Sequence, residues 1–458
     1  MPAMRPLSGY SGRPVPGFQA RAPLTALAVL ALSAGLLFAP AVQAQSLKDL
    51  YEAARAYDAG YRAAQALARS ADYRVAAVEG LARPSAALNS AASTSRVDPP
   101  VGGGGDSNSI GVTASARYPI INRSNDASIA QARKSLESTR ADLETAEQDL
   151  IVRVAQAYFD VLTAQDTLAT LRANKTAITE QLASAKRNFE VGTATITDTR
   201  EVQARFDKAV ADEIAADNDL RTKRIALDQL VGRNGIAPRP LAVPVQLPPV
   251  QPADVEVWVG QADQHPAVRR ARVGLDVATL ETEKARAAEK FTLDAVGSLS
   301  GTRASGSTLS GFSGTTRVAS VGVQFNLPLY TGGQTQNRIQ ETLLLEEKSR
   351  QELDVARRAV TQSTRQSFFG VQSGLAQAKA LEAAESSSKL ALEATQLGYR
   401  VGVRVNLDVL NAQTALFQTQ RDLAKARYDV LMGSLRLRQA SGQLTAADID
   451  AVNALLAK

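Results

Sequence analysis

The chain is built twice. Val191-Gly192 returns as Val401-Gly402, an offset of 210 residues. In the same register Asp198 meets Asp408, Gln203 meets Gln413, Phe159 meets Phe369 and Gly232 meets Gly442. Each copy holds a strand-like stretch and then a long helical stretch free of proline. Solenoid units repeat every 20–50 residues or so, far short of this period. The offset therefore marks a duplicated half-domain, and two equivalent halves are expected to stand around an axis. The question becomes what such an object encloses.

Residues 120–237 and 329–458 contain no proline. Proline costs about 3 kcal/mol inside a helix, so these windows permit long uninterrupted helices. Ile129, Leu136, Leu143 and Leu150 recur every seven residues, and Ile339, Leu353 and Val360 keep most of that spacing in the second copy. A sevenfold apolar repeat predicts supercoiled helix packing. Ser124 to Phe189 spans 66 residues, a rod of roughly 100 Å at about 1.5 Å per residue. Each rod is expected to turn at a glycine, within Val191-Gly192-Thr193 and Val401-Gly402-Val403, because glycine accepts the left-handed conformation that ends a helix. A second helix then returns through Val202, Leu220 and Leu227, matched by Ala412, Val430 and Leu437.

The strand-like stretches alternate with period two. Ile110 to Tyr118 alternates apolar with polar or small residues, and so does Ala319 to Leu329. Weaker partners lie upstream near 86–97 and 291–303, joined through turn-rich segments at 98–108 and 304–315. Each half thus predicts one β-hairpin, four strands per chain. Strands of about 9–11 residues can cross a bilayer when tilted. Four strands cannot close a barrel in lipid, because bacterial barrels have at least eight and an open edge leaves backbone groups unsatisfied. If these strands span a membrane, several chains share one barrel.

Composition excludes much else. There is no cysteine, which removes disulfides, thiolate metal sites and thiol nucleophiles. The lone histidine, His265, makes neither a metal site nor a triad. Three arginines precede the apolar run Leu24 to Ala39, and Val42-Gln43-Ala44 follows. This predicts a secretory signal peptide over 1–44. Its arginines account for half of the formal net charge of +6. The remaining charge is too small to argue for nucleic acid, and no basic patch interleaves with aromatics. Gly102 to Gly105 is a loop run and not a phosphate-binding loop, since no Gly-Lys-Ser/Thr follows. No metal, cofactor or enzyme motif is found.

The division that results is 45–232 for the first repeat, with a strand hairpin at about 86–121 and a helical hairpin at 124–231. A proline-rich segment at 233–262 is read as extended. The second repeat covers 263–442, with a strand hairpin at about 291–330 and a helical hairpin at 334–440. A tail at 443–458 follows. The expected fold class is mainly α with a β part, a transmembrane β part if the strands span a bilayer.

Gly398-Tyr399-Arg400-Val401-Gly402-Val403-Arg404 and Asn406-Leu407-Asp408-Val409-Leu410-Asn411-Ala412-Gln413 form one motif. Phe189 to Gly192 and Ile196 to Asp198 form its first-half counterpart. With Tyr118-Pro119 and Leu327 to Gly333 at the strand-to-helix junctions, the mature chain from about 46 to 445 resembles the TolC-type outer-membrane channel family. The resemblance implies a homotrimer in the Gram-negative outer membrane. It would have a twelve-stranded β-barrel among lipids and a long α-barrel through the periplasm, and no catalytic activity. It implies an exit duct for type I secretion or drug efflux, working with a periplasmic adaptor and an inner-membrane ABC or RND transporter.

The resemblance also places sites. Thr197, Asp198, Tyr399 and Arg404 match the family's periplasmic gate, and the turns at Val191, Gly192, Val401 and Gly402 match its adaptor contact. Asp408 matches the first aspartate of its selectivity ring. Asn411 departs from the second, which would leave one acidic ring in a trimer. A periplasmic coiled-coil adaptor is the competing reading. Such a protein typically carries one helical hairpin and has no need of strands at 86–121 and 291–330.

Overall fold

The computed structural model describes residues 45–97, 104–306 and 313–457. The expected signal peptide and the tips of both strand connections lie outside them. In chain order the elements are α1 (Leu47–Tyr57), α2 (Ala59–Glu79), β1 (Ser85–Val97), β2 (Gly105–Ile121), α3 (Arg123–Glu190) and α4 (Ile196–Val231). They continue with α5 (Val255–Val259), α6 (Pro266–Ala287), β3 (Thr292–Gly306), β4 (Gly314–Asn326), α7 (Gln334–Arg400), α8 (Asn406–Ala440) and α9 (Ala446–Asn453).

The strands form one antiparallel sheet in the order β1-β2-β3-β4. Its register sorts the side chains cleanly. Leu88, Ala114, Leu299 and Ala319 lie in one cross-strand row, and Tyr118, Ala295 and Val323 in another on the same face. The opposite face holds Ala87, Ser115, Ser298 and Ser320 in one row and Asn89, Thr113, Ser300 and Val318 in the next. Hydroxyls bond across that polar face, Ser93 to Ser109 and Ser298 to Ser320, both at 2.8 Å. The apolar face is uncovered: Val321 is 95 % exposed. A sheet that turns its apolar side outward is made for a solvent other than water. Pro119 sits where the β2–β3 register shifts, which suits a residue without an N–H to give. β4 ends at Asn326, so Leu327 to Tyr330 fall outside the strand.

Two unbroken helices, α3 of 68 residues and α7 of 67, run through the whole helical layer. The other two positions are each filled by a pair of shorter helices. Nearer the sheet the order across the layer is α2-α3-α6-α7, and nearer the tips it is α4-α3-α8-α7. Between these tiers lies the largest core, built from Leu50 of α1, Tyr158, Phe159 and Leu162 of α3, Leu227 of α4, Leu431 and Leu435 of α8, and Ile449 of α9. The Tyr158 hydroxyl donates to the Arg239 carbonyl at 2.9 Å. Segment 233–262 thereby crosses the middle of the helices, held by Ala242 N–H to Leu455 and Ala457 N–H to Pro240. It is not extended throughout. It contains α5, whose Trp258 is buried with Phe368, Val371 and Leu437.

Position in the layer breaks the repeat. Phe159, on the central helix α3, is fully buried, whereas its repeat partner Phe369, on the edge helix α7, is 54 % exposed. Other positions keep it: Gly232 and Gly442 both end a helix with φ near +75°. A Cβ on Gly232 would lie 2.4 Å from the Tyr57 ring, and one on Gly442 would lie 2.7 Å from the Cα of His265. His265 itself caps α6, its Nδ1 accepting from the Ala267 N–H at 3.1 Å, and burial lowers its pKa.

Gly232→Ala should therefore lower the unfolding midpoint of the purified protein well beyond Gly235→Ala. Gly235 has the same φ and nothing within 4 Å of a Cβ. The second variant bears only the left-handed cost of about 1–2 kcal/mol. Equal midpoints would mean that Tyr57 yields freely.

Candidate functional site

The two helical tips are built alike. After α3, the N–H groups of Thr193 and Ala194 both bond the Asn188 carbonyl. After α7, those of Val403 and Arg404 both bond the Gly398 carbonyl. Gly192 has φ +76° and Gly402 φ +78°. Local hydrogen bonding sets the same turn 210 residues apart.

Three substitutions between the copies then make the tips chemically different. Thr195 begins α4 with a capping box. Its Oγ1 accepts from the Asp198 N–H at 3.2 Å, and the Asp198 carboxylate accepts from the Thr195 N–H at 3.0 Å and from its hydroxyl at 2.8 Å. The carboxylate of Asp198 is thus occupied by its own helix end. The matching residue of α8 is Val405, which offers no side-chain cap. Asp408 is left free, and Arg404 lies 3.5 Å from it. Arg404 replaces Ala194 of the first copy, and Gly398 replaces Asn188. A Cβ at Gly398 would meet the Cγ of Arg404 at 2.9 Å, so the glycine makes room for the arginine stem.

Within one chain, then, the four residues matched to a gate do not meet as one lock. Asp198 is turned to Thr195, and Arg404 pairs with Asp408, the residue matched to the selectivity ring. Thr197 is exposed and Tyr399 half-buried. Neither hydroxyl has a hydrogen-bond partner among the described residues.

The two hairpins are joined higher up, by residues that motif reading passes over or, for Asn411, assigns to a ring. Tyr428 of α8 donates to Asp166 of α3 at 2.7 Å, and burial pushes the Asp166 carboxyl above the usual carboxylate range. Gln413 of α8 is buried. It accepts from Gln181 and donates to Asn174 at 3.3 Å, both on α3 one heptad apart. Asn411 accepts from Arg205 of α4 at 2.9 Å. Leu410 completes an apolar cluster with Ile178, Leu182, Ala185, Val202 and Ala209. No further side-chain link between the hairpins is described toward the tip from Asn411. Asn411 is therefore a clasp between the hairpins. The sequence signs of this joint were the repeat pair Gln203 and Gln413 and the departure at Asn411.

No helix is long and apolar enough to cross a membrane among the described residues. Nor does any group of three or more His, Asp or Glu there form a metal cluster.

The chain is cysteine-free, so paired cysteines report on this joint without background. Arg205→Cys with Asn411→Cys should be bridged within one chain by a short bismaleimide, as read by peptide mass spectrometry. Asp198→Cys with Arg404→Cys should give no link within one chain. The reverse result would move the joint to the tips.

Two segments, residues 50–233 and 261–443, match the family model described as outer membrane efflux protein. The chain is 33% identical to outer membrane protein TolC of Vibrio cholerae, over 73% of this chain and 77% of that protein. It is 35% identical to alkaline protease secretion protein AprF of Pseudomonas aeruginosa, over 71% of this chain and 67% of that protein. Among solved structures, the outer membrane protein VceC of Vibrio cholerae superposes with a TM-score of 0.74 at 18% identity. That superposition covers 86% of this chain and 96% of VceC.

Proposed function

The chain belongs to the outer membrane efflux protein family, and on that footing we propose that three copies close around one axis into a continuous duct. It is an outer-membrane protein reaching into the periplasm, an exit duct for secretion and efflux systems, and not an enzyme. It works with secretion and efflux machinery. The proposed partners are a periplasmic adaptor seated on the helix tips at Val191, Gly192, Val401 and Gly402, and an inner-membrane ABC or RND transporter.

One observation carries the assembly: both layers of the chain end in open edges. β1 and β4 are each 13 residues long and have no outer neighbour among the described strands. Three copies supply twelve strands. The edge helix α7 carries Val355, Gln362, Phe369, Ala376, Ala383, Leu390 and Leu397, all exposed and seven apart or multiples of seven. That is a coiled-coil seam awaiting a helix, and α2 and α4 form the opposite edge of the layer. A periplasmic adaptor has no use for a sheet with its apolar face outward.

In the trimer Asp408 is proposed to line the narrowest part of the duct three times over. Like charges around a constriction favour cations. The Arg404 guanidinium compensates this charge while the two are paired. The pair is exposed, so it contributes under about 1 kcal/mol and can give way to a partner. Val405 matters because a hydroxyl there would rebuild the capping box that occupies Asp198.

In planar bilayers the protein should conduct and prefer cations. Asp408→Asn should shift the reversal potential toward zero selectivity, and Val405→Thr should do the same with the aspartate still present. Arg404→Ser with Tyr399→Phe should raise conductance. An unchanged reversal potential in Asp408→Asn would remove Asp408 as the filter. Unchanged conductance in the double variant would remove the tip as the gate.

A further inference from the structure

The apolar face of the sheet is not apolar throughout. Arg303 and Arg317 stand on it. Arg303 lies in the row of Ile110 and Thr315, and Arg317 in the row of Val112 and Gly301. Arg303 opposes Thr315, so Arg317 is its diagonal neighbour on the next strand, within reach of a long side chain. Both side chains are exposed, and neither has a carboxylate partner among the described residues. Gly301 lies between Arg317 and Val112, and a Cβ there would meet nothing within 4 Å. The glycine thus leaves open space beside the two arginine positions.

Their height along the sheet is informative. At the helix end of the same face Phe291 stacks on Phe325 with ring centroids 5.5 Å apart, and Tyr118 lies one row further along. Aromatic girdles of this kind mark a bilayer interface. Arg303 lies eight residues along β3 from Ala295, the partner of Tyr118. That is roughly 26 Å along the strand, or about 20 Å of height at a tilt of 40°. The apolar band of such barrels is about 25 Å tall. Arg303 therefore lies close to the far interface, where headgroups begin, and Arg317, two residues nearer the girdle, can extend toward it along its stem. An unpaired cation at this depth is costly unless an anion meets it. A neighbouring copy pairing along β4 would bring β1, which contains no Asp or Glu. Arg96 at the same end faces Asp106 at 3.9 Å and adds no free carboxylate.

We propose that Arg303 and Arg317 form a site for the phosphate-bearing headgroup of a lipid in the outer leaflet. Arginine is suited to this because its planar fork binds phosphate oxygens in pairs. The site rests on the reading of this sheet as membrane-spanning.

The test uses the full assembled protein in vesicles of phosphatidylcholine, alone or mixed with a phosphate-bearing glycolipid. Native mass spectrometry counts glycolipid molecules retained per assembly, and single-channel conductance reports insertion. Retention by Arg303→Gln/Arg317→Gln should fall about a hundredfold, about tenfold for each of two charge-assisted contacts. Retention by Arg303→Lys/Arg317→Lys should fall between that variant and the native protein, since lysine keeps the charge and loses the fork, and conductance should not change in either. Equal retention in the glutamine variant and the native protein would overturn the site while the membrane reading stood. Displacement of the glycolipid by inorganic phosphate would also overturn it, in favour of a free-anion site. Absence of conductance from the native protein would overturn the membrane reading, and the site with it.

Discussion

Everything in this molecule follows from the rule that no backbone hydrogen-bonding group stays unpaired in lipid. The four strands satisfy one another inside the sheet but leave the outer edges of β1 and β4 bare. Each unpaired group in hydrocarbon costs several kcal/mol. A further strand relieves this, and in the proposed assembly copies of the same chain bring it. Closure of the sheet then fixes how many helical layers stand below it. In the proposed assembly the exposed stripe on α7 meets its complement through that geometry. A large aromatic core is not required, and the chain is accordingly rich in alanine, leucine and valine. Its main core sits where the two tiers of helices abut, around Tyr158, Phe159 and Leu431.

Duplication provides the scaffold, and a few changed residues give the two halves separate tasks. Asp198 and Asp408 hold the same position in the repeat. A threonine before one carboxylate draws it into its helix end, whereas a valine before the other leaves it available. Adding an arginine at 404, and the glycine at 398 that accommodates it, gives the second tip an ion pair that the first lacks. Three side chains thus make two similar turns electrostatically different.

Much of this was legible in the sequence because it is locally determined. Left-handed glycines, proline-free rods and period-two strands are each written within a few residues, and the four-stranded sheet and long helical hairpins appear accordingly. The cross-hairpin joint was not legible. Gln413 meets Asn174 and Gln181 across more than 200 residues of chain, and Asn411 meets Arg205. Nothing in their own neighbourhoods distinguishes those polar residues from a solvated helix face. Motif matching likewise marked Arg404 and Asp408 as separate devices, and only three-dimensional geometry joins them. The short helix α5 escaped because prolines surround it, although Trp258 depends on that turn for its burial.

The continuity of α3 and α7 beside the breaks between α2 and α4 and between α6 and α8 has a mechanical consequence. From Leu435 in the main core to Asn406 at the start of α8 is 29 residues, a lever arm of about 43 Å. A rotation of about 5° at the core end would swing the far end by about 4 Å, with hardly any strain per residue. The joint at Asn411 and Gln413 sits close to the moving end of that arm, where modest contacts have the greatest leverage. The molecule is thus stiff in compression along its rods and compliant in shear across the second hairpin. The adaptor proposed for the tips would use that direction without disturbing the sheet.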